Sequence, residues 1–170
     1  MAAARNINNI LRNLISRPKY FYDTETSVDN LHLKKITKYS DESNSENNDV
    51  LYTYGSSKEK SIFKIDIITE NSHTLLDIKI SASFIVNLNT FKEGSAILRL
   101  KINDTLVGEN ETCLINNGYM NVSINYIFNV VKKSLYTVEV FYEGLLITRE
   151  KEDVNLYIRN NGAQISMALI

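Results

Sequence analysis

Residues 118–130, GYMNVSINYIFNV, alternate with period two. Met120, Val122, Ile124, Tyr126, Phe128 and Val130 fall on one face of an extended strand, and Tyr119, Asn121, Ser123, Asn125, Ile127 and Asn129 on the other. The same alternation predicts strands through Phe63, Ile65 and Ile67, through Leu76, Ile78 and Ile80, and through Phe84, Val86 and Leu88. It continues through Ala96, Leu98, Leu100 and Ile102, and through Tyr136, Val138, Val140 and Tyr142. Shorter runs at 50–55, 112–115, 145–148, 154–159 and 164–170 read as further strands. Asn103-Asp104, Asn117-Gly118 and Asn161-Gly162 supply turns, with Asn117-Gly118 the strongest hairpin signal in the chain. About ten strands, with turn signals every 8–12 residues or so and no helical period, predict a mainly β chain: an antiparallel β-sandwich of jelly-roll type.

The N-terminal end departs from this period. Ile7, Ile10, Leu11, Leu14 and Ile15 form one stripe of a short amphipathic helix, which Pro18 ends because the residue before proline is pushed out of the α region. A helix this short is marginal alone, so the stripe needs a partner surface, either its own sandwich or another protein. KYFYDTET at 19–26 reads as an extended arm, and TKYSDESNSENN at 37–48, without an aliphatic residue, as a linker. The expected division is a helix and anchoring arm at 1–36, a polar linker at 37–49 and the sandwich at 50–170. Ile7, Ile10, Leu11, Leu14 and Ile15 are the candidate anchor.

Composition narrows the function classes. A net charge of −1 and scattered lysines give no footprint for nucleic acid. No apolar run has the length of a membrane span, and MAAARNINNILRNLISR lacks the apolar core of a signal peptide, so a chain neither exported by that route nor inserted in a membrane is expected. The single cysteine, Cys113, allows no intrachain disulfide and reads as a buried thiol; His73 reads as exposed at a strand start. With only His32 and His73 there is no metal-ligand spacing, and no cofactor cradle or nucleophile motif is present. Glu150, Glu152 and Asp153 read as a solvated loop rather than a carboxylate pair for catalysis. No catalytic, cofactor or metal residues are assigned. The three glycosylation-type triplets at Asn103, Asn110 and Asn121 read as chance products of an Asn-rich chain.

The polar face of 119–131 remains to be explained. Asn is depleted in strands, and a face evolved for water alone would carry Lys, Glu and Thr. Charge depletion with retained apolar residues is the pattern of subunit-interface centres. Asn121, Asn125, Ile127, Asn129 and Val131 are therefore candidate interface residues, against the alternative that coding bias enriches Asn everywhere. Exposed Tyr with Asn also suits sugar rings, which leaves a carbohydrate- or receptor-binding module as the alternative function and a host glycan as a candidate ligand.

A short N-terminal helix and arm, a polar linker and a β-sandwich ending on AQISMALI resemble bacteriophage virion proteins: fibre, decoration or tail-attachment subunits. Their jelly-roll heads are related in shape to the tumour-necrosis-factor and C1q-like trimers. The resemblance implies a non-enzymatic structural protein of the virion, made in the host cytoplasm. Its 1–36 segment would join other virion proteins and its head would form a homo-oligomer, with a trimer expected. In such trimers the last strand lies near the three-fold axis, which adds Ile165, Met167 and Leu169 to the candidate interface.

Overall fold

The computed structural model describes residues 19–25, 31–40, 50–149 and 153–170, all within an antiparallel β architecture. Ten strands follow one another: β1 (Lys19–Glu25), β2 (Leu31–Ser40), β3 (Val50–Gly55), β4 (Lys60–Ile68), β5 (Leu75–Val86), β6 (Glu93–Ile102), β7 (Thr105–Cys113), β8 (Met120–Asn129), β9 (Leu135–Thr148) and β10 (Val154–Leu169). One sheet runs β8-β5-β10, with β2 and then β1 along the far side of β10. The other runs β7-β6-β9, with β3 and then β4 along the far side of β9. From β2 onward the chain passes between the sheets as β2, β3–β4, β5, β6–β7, β8, β9, β10, which is the winding of a jelly roll. The two sheets join where β2 leaves β10 at Leu33 and pairs with β3 from Lys34. On the opposite side β7 and β8 meet without a ladder, and the Asn110 side-chain amide donates across the gap to the Ser123 carbonyl at 2.7 Å.

The core is the inward set of the alternating residues. Ile78, Phe84, Leu98, Leu100, Val138, Tyr142 and Leu156 are all fully buried. Phe84 stacks against Tyr142 across the sandwich at 5.5 Å between ring centroids. Gly144 keeps β9 continuous rather than breaking it: a Cβ there would lie 2.8 Å from Leu156 Cδ2, so glycine permits the close approach.

Several sequence expectations change here. The arm and the start of the linker are strands β1 and β2, and Leu31 and Leu33 belong to the core. The sandwich therefore begins at Lys19 rather than at residue 50. Lys34 and Lys35 break the visible alternation because β2 changes sheets and bulges between Lys35 and Thr37. The run at 76–80 and the one that starts at Phe84 fall in one strand, β5, which ends at Val86, and 145–148 continues β9. Asn103-Asp104, with φ of 48° and 62°, forms the expected two-residue hairpin between β6 and β7. Asn117, with φ of 55°, does turn the chain, but its flanks go to different sheets, β7 to β6 and β8 to β5, so no hairpin results. Asn161-Gly162 sits in a bulge within β10, where the pairing to β5 jumps from Ile158 to Ala163. The helix and anchor stripe at Ile7 to Ile15 lie outside the described residues.

Candidate functional site

The ladders align the outward side chains of the first sheet into rows. Tyr20, Ala168, Asp77 and Ile127 form one row across β1, β10, β5 and β8. Tyr22, Ser166, Lys79 and Asn125 form the next, followed by Gln164, Ser81 and Ser123. Beyond them the Ser83 hydroxyl donates to the Asn121 side-chain oxygen. Within these rows the charged side chains are Asp77 and Lys79, 3.7 Å apart and of opposite sign, and further along β10 the exposed Arg159 lies over the Tyr119 ring. Its large apolar members are exposed: Tyr20, Tyr22 and Ile127, the last by 67%.

The outward face of the second sheet has a different composition. Arg99 sits among carboxylates, its guanidinium donating to Glu143 at 2.6 Å and to Glu109 at 2.6 Å, with Glu59 at 3.2 Å. Lys101 also binds Glu59, and Lys64 binds Glu139 at 2.8 Å. These contacts push the Arg99 guanidinium further up, chiefly through the Glu143 hydrogen bond. The Glu59 carboxyl falls below the usual glutamate range, chiefly through its hydrogen bond from Lys101, against an opposing effect of burial. Two faces of one chain, coded with one composition, thus differ sharply in charge. A general Asn enrichment does not produce that difference, because it would act on both sheets.

Of the candidate interface residues, Asn121, Asn125, Ile127, Asn129 and Val131 are exposed. Ile165, Met167 and Leu169 are each 2% exposed or less and belong to the core of their own chain, so they are not on the outward face. The terminal strand is a central strand between β5 and β1, and its outward residues are Gln164, Ser166 and Ala168. Tyr20 and Tyr22, which complete the face, escape a reading that assigns 19–26 to an arm. Their alternation with Phe21 is the signal that locates them, since Phe21 packs against the core.

Two side chains with chemical potential are placed opposite to expectation. Cys113 is exposed at the end of β7, because the edge strand turns it outward. His73 is buried; its Nδ1 accepts from the Glu70 backbone N–H at 3.0 Å, and its Nε2 has no hydrogen-bond partner among the described residues. Among the described residues no three His, Cys, Asp or Glu side chains are grouped to hold a metal ion. Open concavities among the described residues include a groove of about 490 Å³ beside Cys113 and a cleft of about 360 Å³ that separates β1 from β4, reaching Ile165 and Met167.

No family model matches the sequence, and no curated protein does. Among solved structures, the infectious bursal disease virus Gt strain shares 10% identity over 91% of this chain and 33% of that one, with a TM-score of 0.47. The VP2 subviral particle of the same virus shares 13% identity over 90% of this chain and 40% of that one, with a TM-score of 0.38. Murine APRIL at pH 5.0 shares 7% identity over 83% of this chain and 98% of that one, with a TM-score of 0.35. The chain spans about a third of the length of the bursal disease virus chain it matches first.

Proposed function

We propose that this chain is a non-enzymatic structural subunit of a bacteriophage particle, whose sandwich assembles with further copies through the outward face of β8, β5, β10 and β1. The observation that carries the assembly reading is the contrast between that nearly uncharged face and the ion-paired face behind it. Asn, Ser and Gln offer hydrogen bonds to a neighbour without the cost of desolvating a charge, and Ile127, Tyr20 and Tyr22 gain burial there. Placement in a phage particle rests on the sequence layout, in which an amphipathic N-terminal segment precedes a β head. With the head beginning at Lys19, the attachment role falls to residues 1–18.

Light scattering of the full chain across a dilution series tests this reading. The wild-type chain is expected as an oligomer, with a trimer first in order, and Ser81→Lys or Ile127→Lys is expected as a monomer of unchanged circular dichroism. A monomer at every concentration of the wild-type chain removes the assembly reading.

A second reading draws on Tyr20 and Tyr22, two exposed aromatic rings on β1 with Gln164, Ser166 and Asn125 in the adjoining rows. Such a surface stacks on sugar rings and hydrogen-bonds their hydroxyls. Saturable glycan binding by the dilute subunit, lost in Tyr22→Ala, would favour it.

A further inference from the structure

The two ends of β9 carry surfaces of opposite character. At its first residue, Leu135 pairs across the ladder with Ile68, and the turn before it holds Val131. These three side chains are 58–68% exposed, an apolar knob at the tip of the molecule. The knob is rigidly held. Buried Thr69 donates through its hydroxyl to the Val131 carbonyl at 2.6 Å and accepts from the Ser134 N–H at 2.9 Å, while its own N–H donates to the Ser134 carbonyl at 3.0 Å. Lys132 and Lys133 lie between, exposed and without an ion pair among the described residues. Lys133 has φ of 53°; the other positive-φ side chains of the described residues are Asn or Asp, which tolerate that region far better. Nearby acids are already engaged, Glu70 by Lys19 and Asp66 by the Thr137 hydroxyl.

Near the other end of β9, Leu145 (44% exposed) and Ile147 line the groove of about 490 Å³, with Leu114 beneath. Glu93 and Glu111 rim it without an ion pair among the described residues, whereas Lys92 already has a partner. Among the described residues, the charged side chains without a partner are therefore Lys132 and Lys133 on the knob and Glu93 and Glu111 on the groove rim. Ten to twelve residues of extended strand, roughly 33–40 Å at ~3.3 Å per residue, separate the two.

We infer that copies of this chain also join end to end, with the apolar, lysine-bearing turn of one copy seated in the acid-rimmed groove of the next. The contact rests on the assembly reading above and adds a second, heterologous surface to it. Knob and groove lie at opposite ends of one strand, so each copy offers both halves, and the contact builds a ring or a column according to its rotation.

Sedimentation velocity on the full chain, with the alkylation rate of Cys113 as a second readout, tests the contact. Mass is expected to grow with concentration beyond the face-to-face oligomer, and Cys113, which lines the groove, is expected to become slower to alkylate. Leu135→Glu and Leu145→Glu alter exposed side chains and should each remove both effects without loss of fold. Mixed together they should regain one contact, since one retains the groove and the other the knob. Lys132→Glu with Lys133→Glu should weaken association by roughly tenfold or more, and Glu93→Lys with Glu111→Lys in the partner should restore it. Ser81→Lys disrupts only the face-to-face contact, so failure of either surface is read separately. Unchanged mass in Leu135→Glu, or a mixture no larger than its components, would overturn the inference. So would a wild-type chain that binds vesicles of phosphatidylcholine and phosphatidylserine through Lys132 and Lys133 while showing no end-to-end mass.

Discussion

Thr69 shows how much a single hydroxyl can organise. It is buried, and its side chain and backbone together hold Val131 and Ser134 in the turn that leads into β9. Thr69→Val keeps the shape and removes the hydroxyl, leaving the Ser134 N–H without its acceptor. Losing the partner of a partly buried donor in this way costs about 1 kcal/mol. The urea midpoint of Thr69→Val should fall accordingly, and that of Thr69→Ser should stay near the wild-type value. Nothing in the string SIFKIDIITENSH marks Thr69 for this role, because its acceptor and donor partners lie more than sixty positions away. Cys113 and His73 escape the reading for a different reason, since the partner of the His73 imidazole, Glu70, is only three positions away. Local alternation predicts which way a strand residue points, yet edge position and loop closure decide whether it meets solvent or protein.

At the scale of elements, the legible part was whatever alternation alone dictates. The faces of β8 follow directly from residues 120–129, the strand expected at 50–55 is β3, and the stripe Phe63, Ile65 and Ile67 lies within β4. Turn chemistry was legible as bending but not as pairing: Asn103-Asp104 closes a hairpin, while Asn117-Gly118 bends the chain from one sheet to the other. Which strands pair is set by the burial of both sheets together, a non-local quantity. The charged face of β6 and β9 carries its own consequence. Glu59 titrates below the usual glutamate range when folded, so it contributes stability above its unfolded pKa that is lost as pH falls through the folded one. The contribution is up to about 1 kcal/mol, because the pair is partly solvated. Acid titration of urea stability should show this loss below the ordinary glutamate range, and Glu59→Gln should flatten that part of the profile.

For the whole molecule, the two proposed contacts obey different physics, and salt separates them. The face of β8, β5, β10 and β1 holds one opposed pair, Asp77 and Lys79, with Arg159 over Tyr119 at its end, so its association draws mainly on burial of Ile127, Tyr20 and Tyr22 and on neutral hydrogen bonds. Screening has almost nothing to act on there. The knob and groove instead bring Lys132 and Lys133 toward Glu93 and Glu111 at the rim, where the Debye length shrinks from about 10 Å at 0.1 M ionic strength to about 3 Å at 1 M. Raising sodium chloride over that range should leave the face-to-face oligomer intact and dissolve the end-to-end species, with the change read as two separate boundaries in sedimentation velocity. Kosmotropic sulfate should strengthen the first, since it favours apolar burial. If both species weaken together with salt, the neutral face is not where the subunits meet, and the charged surface of β6 and β9 becomes the interface to test.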